Sequence, residues 1–346
     1  MTNQAVVMTD IGKMEIREVP VPQVASGCVL IEVEYVGICG SDLHYLEFGK
    51  IGDFVVEGDF ILGHECGGRV VALGEGVTTL KVGDAVALEP GATCGKCRFC
   101  KEGKYNLCPD VQFLATPPYQ GCLMKYMAHP ADLCFPLPPT MSTKEGALIE
   151  PLAVGMHAAA QGGVSVGDRV VILGAGCIGL MTLLACKARG ATDIVVVDVM
   201  DKRLQFAQRL GASTVINASK EDVILTVGRL FEEMGADVVL EAAGNQVTTK
   251  QTVSLVKRGG TIVLVGMTPE NLIEYDIAKL LAKEATIKTV FRYRNLYPRA
   301  IAAVAKGNID ISEIATHEFP FEDTPEAFLY AIHNKNEVVK GVIKIK

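Results

Sequence analysis

Thiolate, imidazole and carboxylate side chains stand close together near the start of this 346-residue chain. Cys39 is followed at 63–65 by Gly-His-Glu, with further glycines at 67, 68, 74 and 76 that permit close backbone approach. Cys39, His64 and Glu65 are borderline-soft donors that suit zinc. Three protein ligands with one position left open make a catalytic ion rather than a structural one. Glu150, in Leu148-Ile-Glu150-Pro151-Leu152, is a carboxylate inside an apolar stretch. It is there either because a cation or a partner compensates it, or because it is a helix N-terminal acid ahead of Pro151.

Cys94-x2-Cys97-x2-Cys100-x7-Cys108 allows a short loop to wrap one tetrahedral ion. Gly95 and Gly103 relieve the backbone, and Lys96, Lys101 and Lys104 are placed to offset thiolate charge. Four thiolates leave no open position, so the expected ion is a structural zinc. Free cysteines, a disulfide pair or an iron–sulfur cluster are the alternatives. Eleven cysteines in a long chain without a secretory leader point to a reducing cytoplasm rather than a disulfide scaffold.

Gly174-Ala-Gly176-Cys-Ile-Gly179 follows an apolar strand and opens a helix. The first glycine suits a tight turn, the second the approach of a pyrophosphate, and the third close helix packing. The helix N-terminus then meets negative charge with free N–H groups. Asp198 ends the next strand, where a carboxylate accepts from an adenosine ribose and repels a 2′-phosphate. NAD is therefore expected over NADP, although Arg203 lies close enough in sequence to temper that preference. A metal site and a hydride carrier on one chain imply a zinc-dependent dehydrogenase.

The elements that must position these groups are of two kinds. The first 150 residues are β-rich, with strands over Cys28–Val36, Gly68–Ala72 and Asp84–Leu88 and with prolines breaking the remainder into short pieces. From Gly167 the rhythm changes to strand–helix–strand: strands at Asp168–Leu173, Asp193–Asp198, Asp237–Glu241 and Gly260–Val265, helices at Cys177–Arg189, Lys202–Leu210 and Thr248–Val256. That alternation predicts an α/β fold with a doubly wound parallel sheet. Beyond about Asn295 the pattern is mixed and ends in Val338–Ile345, which alternates like a terminal strand. A net charge of −7 and the absence of basic runs argue against nucleic acid. No apolar run reaches the length of a membrane span.

Gly63-His64-Glu65-x2-Gly68-x5-Gly74-x2-Val77 resembles the zinc alcohol dehydrogenase signature of the medium-chain dehydrogenase/reductase superfamily. The match is nearest to its polyol branch, the sorbitol (L-iditol) and xylitol dehydrogenases, through segments 37–52 (GICGSDLHYLEFGKIG), 115–118 (ATPP), 146–157 (GALIEPLAVGMH) and 290–293 (VFRY). The resemblance implies a GroES-like catalytic domain, residues 1–152 completed by 294–346, around a Rossmann domain at 153–293. It implies catalytic zinc on Cys39, His64 and Glu65, with Glu150 reaching the metal directly or through water, and a second, structural zinc on the four cysteines. It places Tyr45, Glu150, Arg292 and Tyr293 against substrate hydroxyls, with Phe113 and Thr116 as lesser candidates. Gly174, Gly176, Ile178, Gly179, Asp198, Arg203, Val265, Gly266, Met267, Val290, Phe291 and Arg292 would line the NAD site.

The reaction implied is oxidation of a polyol at carbon 2 to the ketose, with Lewis-acid activation of the hydroxyl and hydride transfer to NAD. Ser41 would take the hydroxyl proton and His44 pass it to solvent. L-Threonine 3-dehydrogenase and 2,3-butanediol dehydrogenase types are the alternatives. A homotetramer or homodimer in the cytoplasm is expected, with no nucleic-acid or membrane partner.

Overall fold

The structure, a computed structural model, describes residues 2–268 and 272–346. The chain separates into two compact units, one of Met1–Glu150, Tyr297–Gly307 and Ile311–Lys346, the other of Pro151–Leu296 and Asn308–Asp310.

The first unit is built on a seven-stranded sheet. Its path runs Cys134–Pro136, Ala85–Leu88, Glu65–Leu73, Cys28–Gly37, Gly341–Lys344 and His317–Pro320, with Tyr126–Pro130 also pairing to Cys28–Gly37. Val29, Ile31, Val33 and Val36 of the central strand are fully buried and pack with Val6, Leu62, Val70, Leu88, Leu123 and Phe328. Each such side chain contributes ~1.5–3 kcal/mol, the driving force that lets charged groups be held at the sheet's end. At that end Gly37 stands in register between Glu65 on one neighbouring strand and Val342 on the other. Three segments distant in sequence therefore converge on the residues just before Cys39.

The second unit is a six-stranded, all-parallel sheet in the order Thr214–Asn217, Asp193–Asp198, Arg169–Leu173, Ala236–Glu241, Val256–Leu264, Thr286–Thr289. Its strands are near-continuous Val/Ile/Leu runs because both faces are covered. The order reverses between Arg169–Leu173 and Ala236–Glu241, and ligands of open α/β sheets bind at the carboxyl ends beside such a switch.

The alternation of strand and helix thus folds as read, with ends differing by a few residues; the closing strand narrows to Gly341–Lys344. One element differs in kind. Thr143–Gly162 is a single 20-residue helix with Pro151 inside it. Glu150 therefore sits in a helix interior, not at a helix N-terminus. The helix starts at a capping arrangement, in which Ser142 N donates to Glu145 (2.7 Å) and Glu145 N to Ser142 Oγ (3.2 Å). Among the described residues no helix is long and apolar enough to cross a membrane.

Candidate metal and nucleotide sites

Cys39, His64 and Glu65 each offer a ligand atom, and these atoms all lie within 4.8 Å of one another. Cys39 is the N-cap of the helix Gly40–Phe48, which ends at Gly49 in the left-handed conformation. His64 and Glu65 lie where the chain enters the strand Glu65–Leu73. Asp42, fully buried, ties the two segments together. Its carboxylate accepts from Cys39 N (3.2 Å) and from Gly63 N (3.0 Å), and Oδ1 lies 3.5 Å from His64 Nδ1. Nδ1 is thereby occupied, leaving Nε2 for a metal, the usual carboxylate–histidine arrangement behind a metal ligand.

Burial pushes the His64 imidazolium down, but the Asp42 carboxylate and the Cys39 sulfur outweigh it and raise the group well above its ordinary value. Metal binding here must displace that proton, so ligation and proton release are coupled. Glu65 is fully buried. A Cβ on Gly37 would fall 2.0 Å from Glu65 Oε2, so only glycine at 37 leaves room for this carboxylate. Both Glu65 oxygens accept from Lys340 Nζ, at 2.6 and 2.8 Å.

The thiol–imidazole–carboxylate set is what zinc takes in an open site, and donors held this close need only a small closure to reach it at about 2.0–2.3 Å. Glu150 is not in this group of neighbouring atoms; it is 5% exposed on the helix Thr143–Gly162. Ser41 and His44 lie half-buried on the helix that Cys39 caps, three residues apart and so on one face. Tyr45 is buried and its ring lies 6.3 Å from that of Phe60.

The four cysteine sulfurs at 94–108 also lie within 4.8 Å of one another. Gly95 and Gly103 are left-handed, at φ +66° and +71°. Cys97 N donates to Cys94 Sγ (3.3 Å) and Cys100 N to Cys97 Sγ (3.5 Å), so backbone dipoles already face the sulfurs. The amides of Lys96 and Cys97 pull the Cys94 thiol down to about 7. Every described cysteine is a free thiol, which leaves this set available to a tetrahedral ion. The ammonium of Lys104 pairs with Glu102 at 3.0 Å, an acid that Arg98 also holds.

In the second unit Gly174 turns at φ +104°, and a Cβ on Gly179 would fall 1.9 Å from Gly174 O, so the helix Cys177–Ala188 starts hard against the strand end. Asp198 closes the loop. Its Oδ2 accepts from Ala175 N (2.7 Å) and its Oδ1 from Val199 N and Met200 N (2.8 and 3.0 Å). Arg203 stands beside the loop, with a guanidinium nitrogen 3.9 Å from where a Gly176 Cβ would be. Val265 and Gly266 donate to Glu241 O and Val290 to Leu264 O, which sets Val265–Met267 and Val290–Arg292 along the carboxyl edge of the same sheet. Ile178 lies in the first turn of the loop's helix. Arg292 has φ +55°, an uncommon conformation for a side-chain-bearing residue, and its guanidinium stacks on Phe291; Tyr293 beside it is buried.

Two family models match this chain: the alcohol dehydrogenase GroES-like domain over residues 25–139 and the zinc-binding dehydrogenase domain over residues 177–306. Sorbitol dehydrogenase of Bacillus subtilis is 43% identical, over 98% of this chain and 96% of its own. The chain belongs to the zinc-containing medium-chain dehydrogenases. An uncharacterized zinc-type alcohol dehydrogenase-like protein of Escherichia coli, YdjJ, is 50% identical over 100% of this chain and 99% of its own. A crystal structure of an Escherichia coli oxidoreductase of unknown specificity, involved in membrane biogenesis, superposes with a TM-score of 0.97 at 49% identity and covers both chains completely. This family is one of oxidoreductases that use zinc and a nicotinamide cofactor.

Sequence reading passed over Asp42 and Lys340. Asp42 had a local signal, an acid three residues after Cys39 where a helix begins. Lys340 had none, being 275 residues from Glu65.

Proposed function

We propose that this protein oxidises a polyol at carbon 2 to the ketose and passes the hydride to NAD, with one zinc ion at Cys39, His64 and Glu65 and another on the four cysteines. The thiol–imidazole–carboxylate group backed by Asp42, with the thiol half-buried and the other two donors buried, carries the reading. Bound there, zinc would supply electrophilic activation of a hydroxyl group. Ser41 takes up the hydroxyl proton and His44, on the same helix face, hands it to solvent. Glu150 and Tyr45 hold a second hydroxyl, and Arg292 and Tyr293 are further contacts to the polyol chain.

The Glu150 carboxylate, buried on the helix Thr143–Gly162, is an acceptor, and a polyol brings several hydroxyl donors. Likeness to a sorbitol dehydrogenase supports the same substrate class. Asp198 supports NAD, since its carboxylate stands at the loop where a 2′-phosphate would bring like charge. Self-association to a dimer or tetramer belongs to this reading.

The test is kcat/KM over sorbitol, xylitol, L-iditol and galactitol, with 2,3-butanediol and L-threonine as comparators, each with NAD and NADP, beside zinc content per chain. Polyols with NAD are expected to lead by at least about tenfold, with two zinc ions per chain. A lead for butanediol or threonine would replace the substrate assignment, and a lead for NADP would replace the cofactor assignment.

A further inference from the structure

The strand Ala236–Glu241 borders the switch point of the second unit's sheet, and Glu241, its last residue, is 1% exposed. The main-chain carbonyl of Glu241 accepts from Val265 N and Gly266 N, at 2.8 and 2.9 Å. Carboxylate Oε1 accepts from Ala243 N (3.0 Å), Gly244 N (2.9 Å) and Thr248 Oγ1 (2.8 Å). Two turns at the carboxyl edge are thereby fastened to one residue. They also interlock: a Cβ on Gly266 would fall 2.3 Å from Gly244 N, and one on Gly244 would fall 2.5 Å from Met267 O.

The second carboxylate oxygen is placed otherwise. Oε2 is buried and has no hydrogen-bond partner among the described residues. A Cβ on Gly266 would fall 2.9 Å from it, so this oxygen packs directly against the turn Val265–Met267. All three donors reach Oε1, and all three are neutral groups. Burial lifts the carboxyl above its ordinary value, while Thr248 and the amides of Gly244 and Ala243 pull it back. Fastening the turns needs one acceptor oxygen, which a glutamine would offer without the cost of burying a charge. A carboxylate kept here calls for a cation that its own neighbours do not supply.

A cation comes with the cofactor. Doubly wound sheets of this kind bind a dinucleotide as two mononucleotide halves that meet at the switch point. The glycine loop and Asp198 serve the adenosine half, which leaves the nicotinamide half to the strands Ala236–Glu241, Val256–Leu264 and Thr286–Thr289. The oxidised nicotinamide ring carries a positive charge and the reduced ring carries none.

We propose that Glu241 sets the redox preference of the nucleotide site: its part-compensated carboxylate, packed against Gly266, favours the oxidised, cationic ring over the reduced, neutral one. This rests on the reading of the same edge as the NAD site. The residue acts through its charge and through the two turns it fastens, not on the reacting atoms. Holding the oxidised cofactor more firmly suits an enzyme that works as an alcohol oxidant.

Two unit charges ~10 Å apart, at the effective dielectric of ~20 that describes buried sites, shift an equilibrium by roughly tenfold. Because Oε1 is already hydrogen-bonded, about fivefold is expected here. The experiment is the Kd of NAD+, NADH and ADP-ribose for the substrate-free protein, by titration calorimetry, on the parent, Glu241→Gln and Glu241→Asp. ADP-ribose keeps the pyrophosphate and both riboses but has no nicotinamide ring. In Glu241→Gln the Kd of NAD+ should rise about fivefold, while those of NADH and ADP-ribose stay within about twofold.

A residue that only fastens the turns would move all three constants together, or none if glutamine holds them as well; either result would overturn the proposal. Glu241→Asp keeps the charge and shortens the arm. All three nucleotides should then weaken by a common factor, with the NAD+ to NADH ratio within about twofold of the parent's. A ratio that collapses in Glu241→Asp would also overturn the proposal, and this arm stands if the glutamine variant does not fold. A parent that binds none of the three would instead overturn the cofactor reading beneath it.

Discussion

The two cysteine-bearing clusters use the same element in opposite ways. The lobe is local: four thiols within fifteen residues, three of them half-buried, with backbone N–H groups of the same loop aimed at the sulfurs. The other cluster is assembled. Its thiol comes from a helix N-cap, its imidazole and carboxylate from a strand entry, and its supporting charges from Asp42 and from Lys340 near the chain's end. A self-contained loop can hold an ion wherever it is placed, and its folding energy stays in the loop. An assembled site brings together one donor of each chemical type, and it does so only after the sheet has formed. Closure suits the first to structure, and the mixed, compensated donor set suits the second to chemistry.

Breaking the assembled cluster should have the largest effect. On the proposed function His64→Ala removes a ligand of an ion worth several kcal/mol to the transition state, and kcat/KM is expected to fall by about a thousandfold or more. The thermal midpoint should move little by comparison, and NAD binding, measured by titration calorimetry, should persist. Retained turnover in His64→Ala would show that this cluster is not the catalytic one. Asp42→Asn comes next. The amide keeps the shape but not the charge that faces His64 Nδ1. A fall of about 10–100-fold in zinc affinity or in kcat is expected. An unchanged affinity, read by competition with a chelator, would mean that Asp42 serves only the helix start.

How much of this was legible follows the same division. The lobe could be read from spacing alone, because its ligands and its turn residues are neighbours in sequence. The glycine loop was equally plain, since Gly174, Gly179 and Asp198 act within one strand–helix–strand unit. Strands of the second unit stood out because burial on both faces makes them uniformly apolar. The helix Thr143–Gly162 did not, because Pro151 interrupts a pattern whose start, Ser142-Thr-Lys-Glu145, was nevertheless readable. Lys340 lay beyond any local signal. A lysine beside Gly341 reads as an exposed strand residue, and only the register of Gly37 between Glu65 and Val342 brings it to the carboxylate.

The smallest expected effect on turnover tests whether the two clusters are independent. Cys100→Ser removes one lobe thiol and with it the ion proposed to close the loop. The thermal midpoint is expected to drop by about 5 °C, as for a loss of ~2 kcal/mol in a unit of this size. An unchanged midpoint would count against an ion there. The chemistry should change by no more than about threefold in kcat/KM, yet not by nothing, because a physical link exists. Tyr105, inside the lobe, donates to Glu89 at 2.7 Å. Phe113, which follows the lobe and pairs with Gly91, lies with its ring centroid 5.7 Å from that of His64. Loosening the lobe therefore loosens a ring packed on the histidine of the assembled cluster. Phe113→Leu, with the lobe intact, should reproduce the small loss in kcat/KM without the fall in thermal midpoint. If Cys100→Ser instead costs turnover more than tenfold while Phe113→Leu costs none, the lobe acts on the assembled site by another route, and the division between a structural and a catalytic cluster has to be redrawn.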